Sequence, residues 1–457
     1  DDQGSINVCE RDMSYSSALQ KLLSLIDLER IAGPPVREYK LERMRNLAQL
    51  LGNPQAVTPT IHVTGTKGKG STSAMIASIL DYAGITPGLY TSPHLHTFRE
   101  RIRLGLAPIT EEMFSDLFDQ VWCVAEEMSH DSALGRITTF EALTAMAFLC
   151  FSQTRRQFQV LEVGLGGTLD ATNIVDNSTI CVFTPISLDH TRILGDTILK
   201  IARDKAGIIK PGAVVIASPQ ELEVINLLRE VCEEKKATFV AVQEEFKWSM
   251  IAKDLRGQSF RFSGLGRSGN VRIPLLGRHQ IWNACAALAA IYSLVDLGTK
   301  ISDQSIMAGL DQLVWAGRLE VLGETPTVVA DGAHNPYSMK VLVDSVKEYL
   351  PQRKTILVFG FSSGHDLDGV IGEAIALNPK EVIACRAEHP RSISETEIAE
   401  RFINHGVMTE TAGNVRLAVS RALAQADRED LVLVAGSLFV VAEAREYLKG
   451  ITPEAYG

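Results

Sequence analysis

The sequence predicts an α/β protein of two domains, each built on a mostly parallel sheet with helices on its faces. Three observations carry that expectation. Short apolar runs alternate with helical patterns through both halves of the chain. A glycine-rich turn, Gly65–Gly70, separates the first strong strand pattern from a helix. After Trp315-Ala316-Gly317 a fresh alternation begins. The 457 residues also exceed one ordinary core and fit two or three units of this size.

Taken in order, residues 14–51 carry apolar positions such as Leu19, Leu22, Leu23 and Ile26 at helical spacing, interrupted by Pro34 and Pro35. Thr60–Thr64 reads as a strand, Ser71–Ala83 as a helix, and Gly84 stands where a helix end wants a left-handed residue. Gly88–Ser92, Gln159–Val163, Thr179–Thr184 and Ala213–Ala217 read as further strands with helical patterns between them. Residues 237–275, with Phe260-Arg261-Phe262 and Val271-Arg272-Ile273, suggest an antiparallel excursion before a helix over 279–296. In the second half, strands are expected at Thr327–Ala330, Thr355–Phe359, Glu381–Cys385 and Leu431–Ala435, with helices over 336–350 and 414–426. The expected domains are 1–315 and 316–457.

Hydrophobic residues at 46% and charged residues at 22% describe a globular chain and exclude disordered, collagen-like and low-complexity classes. Forty-five basic against 55 acidic residues leave a net charge of −10, which argues against bulk nucleic-acid or anionic-membrane binding. The seven cysteines, at 9, 123, 150, 181, 232, 285 and 385, form no CxxC pair, so reduced thiols are expected rather than disulfides or a zinc site. The amino terminus lacks the layout of a signal peptide, and the apolar stretch Leu431–Ala444 is too short to span a bilayer. A cytoplasmic enzyme, monomeric and free of nucleic-acid and membrane partners, is the expectation.

The most informative stretch is Gly65-Thr66-Lys67-Gly68-Lys69-Gly70-Ser71-Thr72. Between a strand and a helix, such glycines let backbone N–H groups converge, the helix start adds a positive dipole end, and Lys69 adds a mobile charge for phosphates. The common GxxxxGK[ST] spacing is not met, because Val63 stands five residues before Gly68 and Gly70 separates Lys69 from Ser71. Gly65, Ser92, Glu162 and His190 fall at or just beyond the carboxyl ends of expected parallel strands, which share one crevice in an open sheet. A hydroxyl, a carboxylate and an imidazole beside a phosphate loop make a plausible Mg²⁺ shell. Read singly, Ser92 is a turn residue before Pro93, His190 a structural histidine and Lys205 a solvated lysine; Glu162, in an apolar strand, is harder to dismiss. Gly164-Leu165-Gly166-Gly167 lacks the GxGxxG spacing of a dinucleotide site.

The variant loop resembles that of the Mur ligase superfamily, and its Gly-Ser ending resembles the folate branch, the folylpolyglutamate and dihydrofolate synthases. Thr91-Ser92-Pro93-His94-Leu95, Arg99-Glu100-Arg101-Ile102, Leu161–Gly167 with Leu169–Asn173, Leu188-Asp189-His190-Thr191, Asp204–Ile208, Gly277–Gln280 with Asn283, Gly317-Arg318 and Asp331–Pro336 follow in the family's order. The resemblance implies a P-loop ATPase domain followed by a smaller Rossmann-like domain, and ATP, a folate and L-glutamate as substrates. It implies Ser92, Glu162 and His190 as Mg²⁺ ligands. Lys205, in a motif whose lysine is typically carbamylated, would serve a second Mg²⁺. Gly65, Thr66, Lys67, Gly68, Lys69, Gly70, Ser71, Asn283, Arg318, Asp331 and His334 would contact ATP; Lys69, Glu162, His190 and Lys205 would carry catalysis. Phe140, Glu141, Leu169 and Asp170 would lie by the folate, although a helix start at Phe140-Glu141 predicts the same letters.

Three departures from the family pattern stand out. Thr168 stands where bacterial members often have Arg, Lys67 where many have Asn, and Gly364-His365 replace the first two residues of an Asp-Lys-Asp segment. The implied activity is an ATP-dependent amide ligase working through an acyl phosphate. Its rivals are a Mur-type ligase acting on a cell-wall nucleotide precursor and a non-catalytic ATP-binding switch.

Overall fold

Thr60–Thr64 (β1) is buried at all five positions, as a parallel strand covered on both faces must be. The structure, a computed structural model, describes residues 13–27, 41–129, 134–351 and 353–454. Around β1 stand Pro87–Tyr90 (β2), Ile102–Leu104 (β3), Ala107–Pro108 (β4), Phe158–Glu162 (β5), Ser178–Phe183 (β6), Val214–Ala217 (β7) and Thr238–Ala241 (β8). The sheet order is β4-β3-β2-β5-β1-β6-β7-β8, parallel except where β3 and β4 extend it antiparallel beyond β2. Within this sheet β1 pairs with β5 on one side, Val63 opposite Glu162, and with β6 on the other, Val63 opposite Val182. The five strands expected from apolar runs are present within two residues of their expected ends. The short β3 and β4 have no apolar run to announce them.

The expected amino-terminal helical stretch resolves into helices Tyr15–Leu23 and Leu41–Leu50, which join the cluster under β2 and β5. Pro34, Pro35 and Cys9 lie outside the described residues. The other six cysteines form no disulfide.

After β1 and the glycine loop comes the helix Lys69–Tyr82, buried continuously from Ser71 to Leu80. A helix with no wet face is a core helix. It lies against the helices Arg278–Asp296 and Asp303–Asp311 and under the sheet, in one apolar cluster. The closest approach is at Gly309, where an added Cβ would meet the backbone of Ile79 at 2.5 Å. The Ser78 hydroxyl donates to the Gly309 carbonyl at 2.6 Å across the same contact.

The antiparallel excursion is real but shorter than the sequence suggests. Thr238–Ala241 belongs to the main sheet as β8, and a separate three-stranded sheet comprises Lys247–Asp254 (β9), Gly257–Gly264 (β10) and Arg267–Ile273 (β11). The third sheet contains Glu320–Glu324 (β12), Thr327–Ala330 (β13), Thr355–Phe359 (β14), Glu381–Cys385 (β15), Thr409–Ala412 (β16) and Leu431–Ala435 (β17). Its order is β12-β13-β17-β14-β15-β16, with only β12 antiparallel. The four central strands match the four expected ones. The two edge strands, half exposed and polar, gave no apolar signal. We propose 1–315 and 316–457 as the two domains, the break falling between the helix Asp303–Asp311 and β12. Among the described residues no helix is long and apolar enough to cross a membrane.

Gly309→Ala tests the backbone contact between the helices Lys69–Tyr82 and Asp303–Asp311. The added methyl meets backbone rather than a mobile side chain, so stability is expected to fall by about 1–3 kcal/mol. Equilibrium denaturation, with Gly372→Ala as a control at a site with open space, measures the difference.

Candidate functional site

The carboxyl ends of β1, β2 and β5 open into one cleft of about 1310 Å³. Loops following β13, β14, β15 and β17 close its other side, contributing Asp331, His365, Arg391 and Ser437 among others. Every residue singled out from the sequence as a site residue lines this cleft.

The phosphate loop needs its glycines for separate reasons. Gly65, at φ +142°, runs so close to Thr184 that a Cβ would lie 2.6 Å from its carbonyl oxygen. Gly68, at φ +86°, is the left-handed cap of the helix, and a Cβ there would lie 2.5 Å from Asn283 Oδ1. Gly70 faces Glu162, whose Oε2 lies 3.4 Å from the position of a Cβ. Lys69 is the first helical residue, and Asn283 is steadied over the loop by donating to Gln280 at 3.0 Å.

Glu162 ends β5, is 5% exposed, and accepts the Ser92 N–H at 3.1 Å. His190 lies farther out than the sequence reading placed it, well beyond the end of β6 at Phe183, in a left-handed conformation with φ 50°. Asp189 Oδ1 accepts its N–H at 3.0 Å. Lys205 is 4% exposed, and burial, aided by the charge of Lys69, pushes its pKa down to about 7. Its helix, Ile198–Lys205, is tied to the loop after β5: the Thr168 hydroxyl donates to the Asp204 carbonyl at 2.8 Å. The departure at 168 therefore docks this loop.

The four residues assigned to the folate side differ in what they have free. Phe140 packs against Tyr90 with ring centroids 5.9 Å apart, and Leu169 is 43% exposed over the cleft. Glu141 is the N3 member of a capping box with Thr138 and takes Arg43 Nε on both oxygens, at 3.0 and 2.9 Å. Asp170 accepts the N–H groups of Leu165 and Thr172 and the Thr172 hydroxyl. Both carboxylates thus hold secondary structure in place. Arg43 escaped the sequence reading because one arginine in an amphipathic helix carries no signal.

Across the cleft, Lys67 Nζ lies 3.2 Å from Asp189 Oδ2 and 3.0 Å from His334 Nε2. His334 Nδ1 faces the Gly332 carbonyl at 2.8 Å; a carbonyl only accepts, so Nδ1 carries the proton and Nε2 accepts from Lys67. Burial, then Lys67, holds His334 well below the usual imidazole range. Burial works to raise the Asp189 carboxyl, but Lys67 and the surrounding histidines hold it well below the usual range. His365 sits between His334 and His190, with centroids 5.0 and 6.1 Å away, and burial lowers it to about 4. That departure therefore places an uncharged ring in the cleft. Asp331 accepts from Leu319 N at 2.8 Å and Ala333 N at 2.9 Å, which shapes its turn and leaves lone pairs free.

Among the described residues no three His, Cys, Asp or Glu side chains converge into a protein-only metal cage. Mg²⁺ needs none, since it keeps waters and is commonly held by one or two carboxylates plus substrate phosphates. The buried Glu162 carboxylate beside Gly70 fits that pattern.

Gly68→Ala would strain a left-handed cap and strike Asn283. Affinity for a nucleoside triphosphate, read by calorimetry, is expected to fall at least about tenfold, in line with about 1–3 kcal/mol of backbone strain. The same strain burdens the unliganded fold, so the melting temperature should fall by about a few degrees while the protein stays folded.

Comparison with known proteins accords with this geometry. Residues 63–291 match the Mur ligase middle domain, and residues 317–438 the Mur ligase glutamate ligase domain. The chain is 35% identical over 95% of its length to a probable bifunctional folylpolyglutamate synthase/dihydropteroate synthase of Halobacterium salinarum, of which it spans 51%. It is 32% identical to the dihydrofolate synthase/folylpolyglutamate synthase of Bacillus subtilis, covering 90% of this chain and 95% of that one. The crystallised Escherichia coli FolC in complex with DHPP and ADP superposes with a TM-score of 0.84 at 30% identity, covering 97% of this chain and 99% of the other. The chain belongs to the Mur ligase superfamily, in the family of folylpolyglutamate and dihydrofolate synthases.

Proposed function

We propose that the protein is an ATP-dependent amide ligase that joins L-glutamate to a folate. One observation carries the reading: a glycine-built phosphate loop, a buried carboxylate, a buried lysine and an apolar wall at Phe140 and Leu169 all open into a single cleft. The family's members bearing both synthase names, and an Escherichia coli relative described with DHPP and ADP, support it. By the same likeness, dihydropteroate is proposed as a second acceptor.

In this mechanism the loop N–H groups, the helix start and Lys69 hold the phosphates, with Asn283 on the adenosine and Arg318, Asp331 and His334 on the facing side. A folate carboxylate oxygen attacks the γ-phosphorus and ADP leaves, giving an acyl phosphate. The glutamate amine then adds to the acyl carbon, loses a proton, and the tetrahedral adduct expels phosphate to leave the amide. The protein positions the reactants and neutralises charge; no protein nucleophile takes part. Glu162, Ser92 and His190 would hold Mg²⁺, which when bound polarises phosphoryl oxygens. Lys205, poised near neutrality, has a substantial unprotonated fraction. That amine adds CO₂ and loses a proton, giving a carbamate whose oxygens would serve a second Mg²⁺. A cytoplasmic monomer is proposed for this acidic chain, whose six described cysteines form no disulfide.

The direct test is labelled glutamate with ATP, offered dihydropteroate and tetrahydrofolate separately. Phosphate release that requires both folate and glutamate would exclude a non-catalytic ATP-binding switch. Lys69→Ala should abolish ligation with the fold intact; near-normal turnover removes the loop assignment. Glu162→Gln keeps the shape and loses the charge, so turnover should drop by about 100-fold or more, with only partial rescue by added Mg²⁺.

Lys205→Ala should lose activity while still binding ATP, because the loop at 65–71 is untouched. Short carboxylates in the buffer should restore some turnover. A fully active alanine variant would return Lys205 to a structural role.

A further inference from the structure

Asp189 and Asn335 bond directly across the cleft. Asn335 is 5% exposed and caps the helix Pro336–Tyr349. Its Oδ1 accepts Ser338 N at 2.9 Å and Ser338 Oγ at 2.8 Å, which fixes which way the amide points. The Nδ2 group therefore faces the other side of the cleft, where it donates to Asp189 Oδ2 at 3.0 Å. The same carboxylate oxygen lies 3.2 Å from Lys67 Nζ in the phosphate loop, and the other oxygen holds the His190 N–H. Lys67 also touches His334, the residue before Asn335.

We propose that Asp189 and Asn335 are positioning residues forming a clamp that, through Lys67, fixes the phosphate loop against the 331–335 loop of the carboxyl-terminal sheet. Lys67 then works chiefly as the pin of this clamp, and Lys69 as the cation presented to phosphate. The proposal rests on the ligase reading, in which ATP on the amino-terminal loop must meet groups from the facing sheet at fixed distance. The clamp is electrically economical: one cation, one anion and one amide satisfy each other in a partly buried place where an unpaired charge is costly.

The geometry allows a polarity swap. Asn335→Asp keeps a good helix cap but sets a second carboxylate against Asp189. Asp189→Asn removes the anion facing Lys67. In the double variant the amide introduced at position 189 can donate to the carboxylate introduced at position 335. The oxygen of that amide can still hold the His190 N–H, but its nitrogen takes the place of the oxygen that faced Lys67, so the double variant restores the 189–335 bond and not the bond to Lys67. Each single variant should lower kcat about tenfold or more with a smaller change in KM for ATP, and the double variant should regain part of that loss, about threefold over Asn335→Asp, as expected for directly coupled groups. Hydrogen exchange of amides in 331–337 should rise in both single variants and fall back in the double, whereas exchange in 65–71, which depends on Lys67, should rise with Asp189→Asn and stay raised in the double. If Asn335→Asp proves unfolded by its melting curve, Asn335→Ser, which retains a capping oxygen without the amide donor, takes its place for the single-site measurements. Wild-type turnover and exchange in the single variants, or a double variant no better than Asn335→Asp, overturns the clamp. A wild-type protein without folate- and glutamate-dependent phosphate release counts against the ligase reading alone, because the exchange measurement reads the clamp without any reaction.

Discussion

The constraint on which this structure depends is the passage from β1 to the helix Lys69–Tyr82. A strand buried on both faces hands the chain to a helix buried on every side, so the intervening turn has almost no lateral freedom. Gly65 passes against Thr184 and Gly68 against Asn283 at separations that exclude a Cβ. The helix itself is held by a glycine contact at Gly309. Packing of this density resists deformation, so the N–H groups of the loop are set before any phosphate arrives.

Around that rigid centre the ionisable groups are sorted by partner. Glu141 is taken by Arg43 and a helix start, Asp170 by the loop after β5, and Asp189 by Lys67 and Asn335. These carboxylates build the cleft. Glu162, which accepts the Ser92 N–H, lies at the carboxyl end of a central strand and beside Gly70. Lys205 and the histidines are pushed toward their uncharged forms by burial. A cleft arranged in this way has its local positive charge concentrated where a polyphosphate would lie.

The two parallel sheets present carboxyl-end loops to the same space. Asp331 to Asn335 follow β13, His365 follows β14, and Ser437 follows β17, all facing the loops of β1, β5 and β6. Ligand chemistry at the strand ends of an open sheet is a general outcome of α/β architecture. Here the arrangement is doubled, so a substrate held on one sheet is within reach of residues from the other. The three-stranded sheet β9–β11 and the helix Asp303–Asp311 instead cover the far side of the nucleotide helix, and their part is in stability.

The sequence by itself determined the parts whose signal is local. Strand and helix alternation follows from periodicity, and the phosphate loop from glycines between a strand and a helix. The central strands of both large sheets follow from continuous apolar runs. It could not announce β3, β4, β12 or β16, which are short, polar or at an edge and exist because a neighbouring strand offers hydrogen bonds. The sequence named Glu141 and Asp170 beside a ligand, and they do line the cleft. Only the tertiary structure decided that their oxygens are occupied by Arg43, Thr138, Leu165 and Thr172. Likewise Leu-Asp-His-Thr was legible as a motif, but the meeting of Asp189 with Lys67 and Asn335 joins positions as much as 146 residues apart. No pattern in one chain encodes such a contact, because it depends on how two separately built sheets come to face each other.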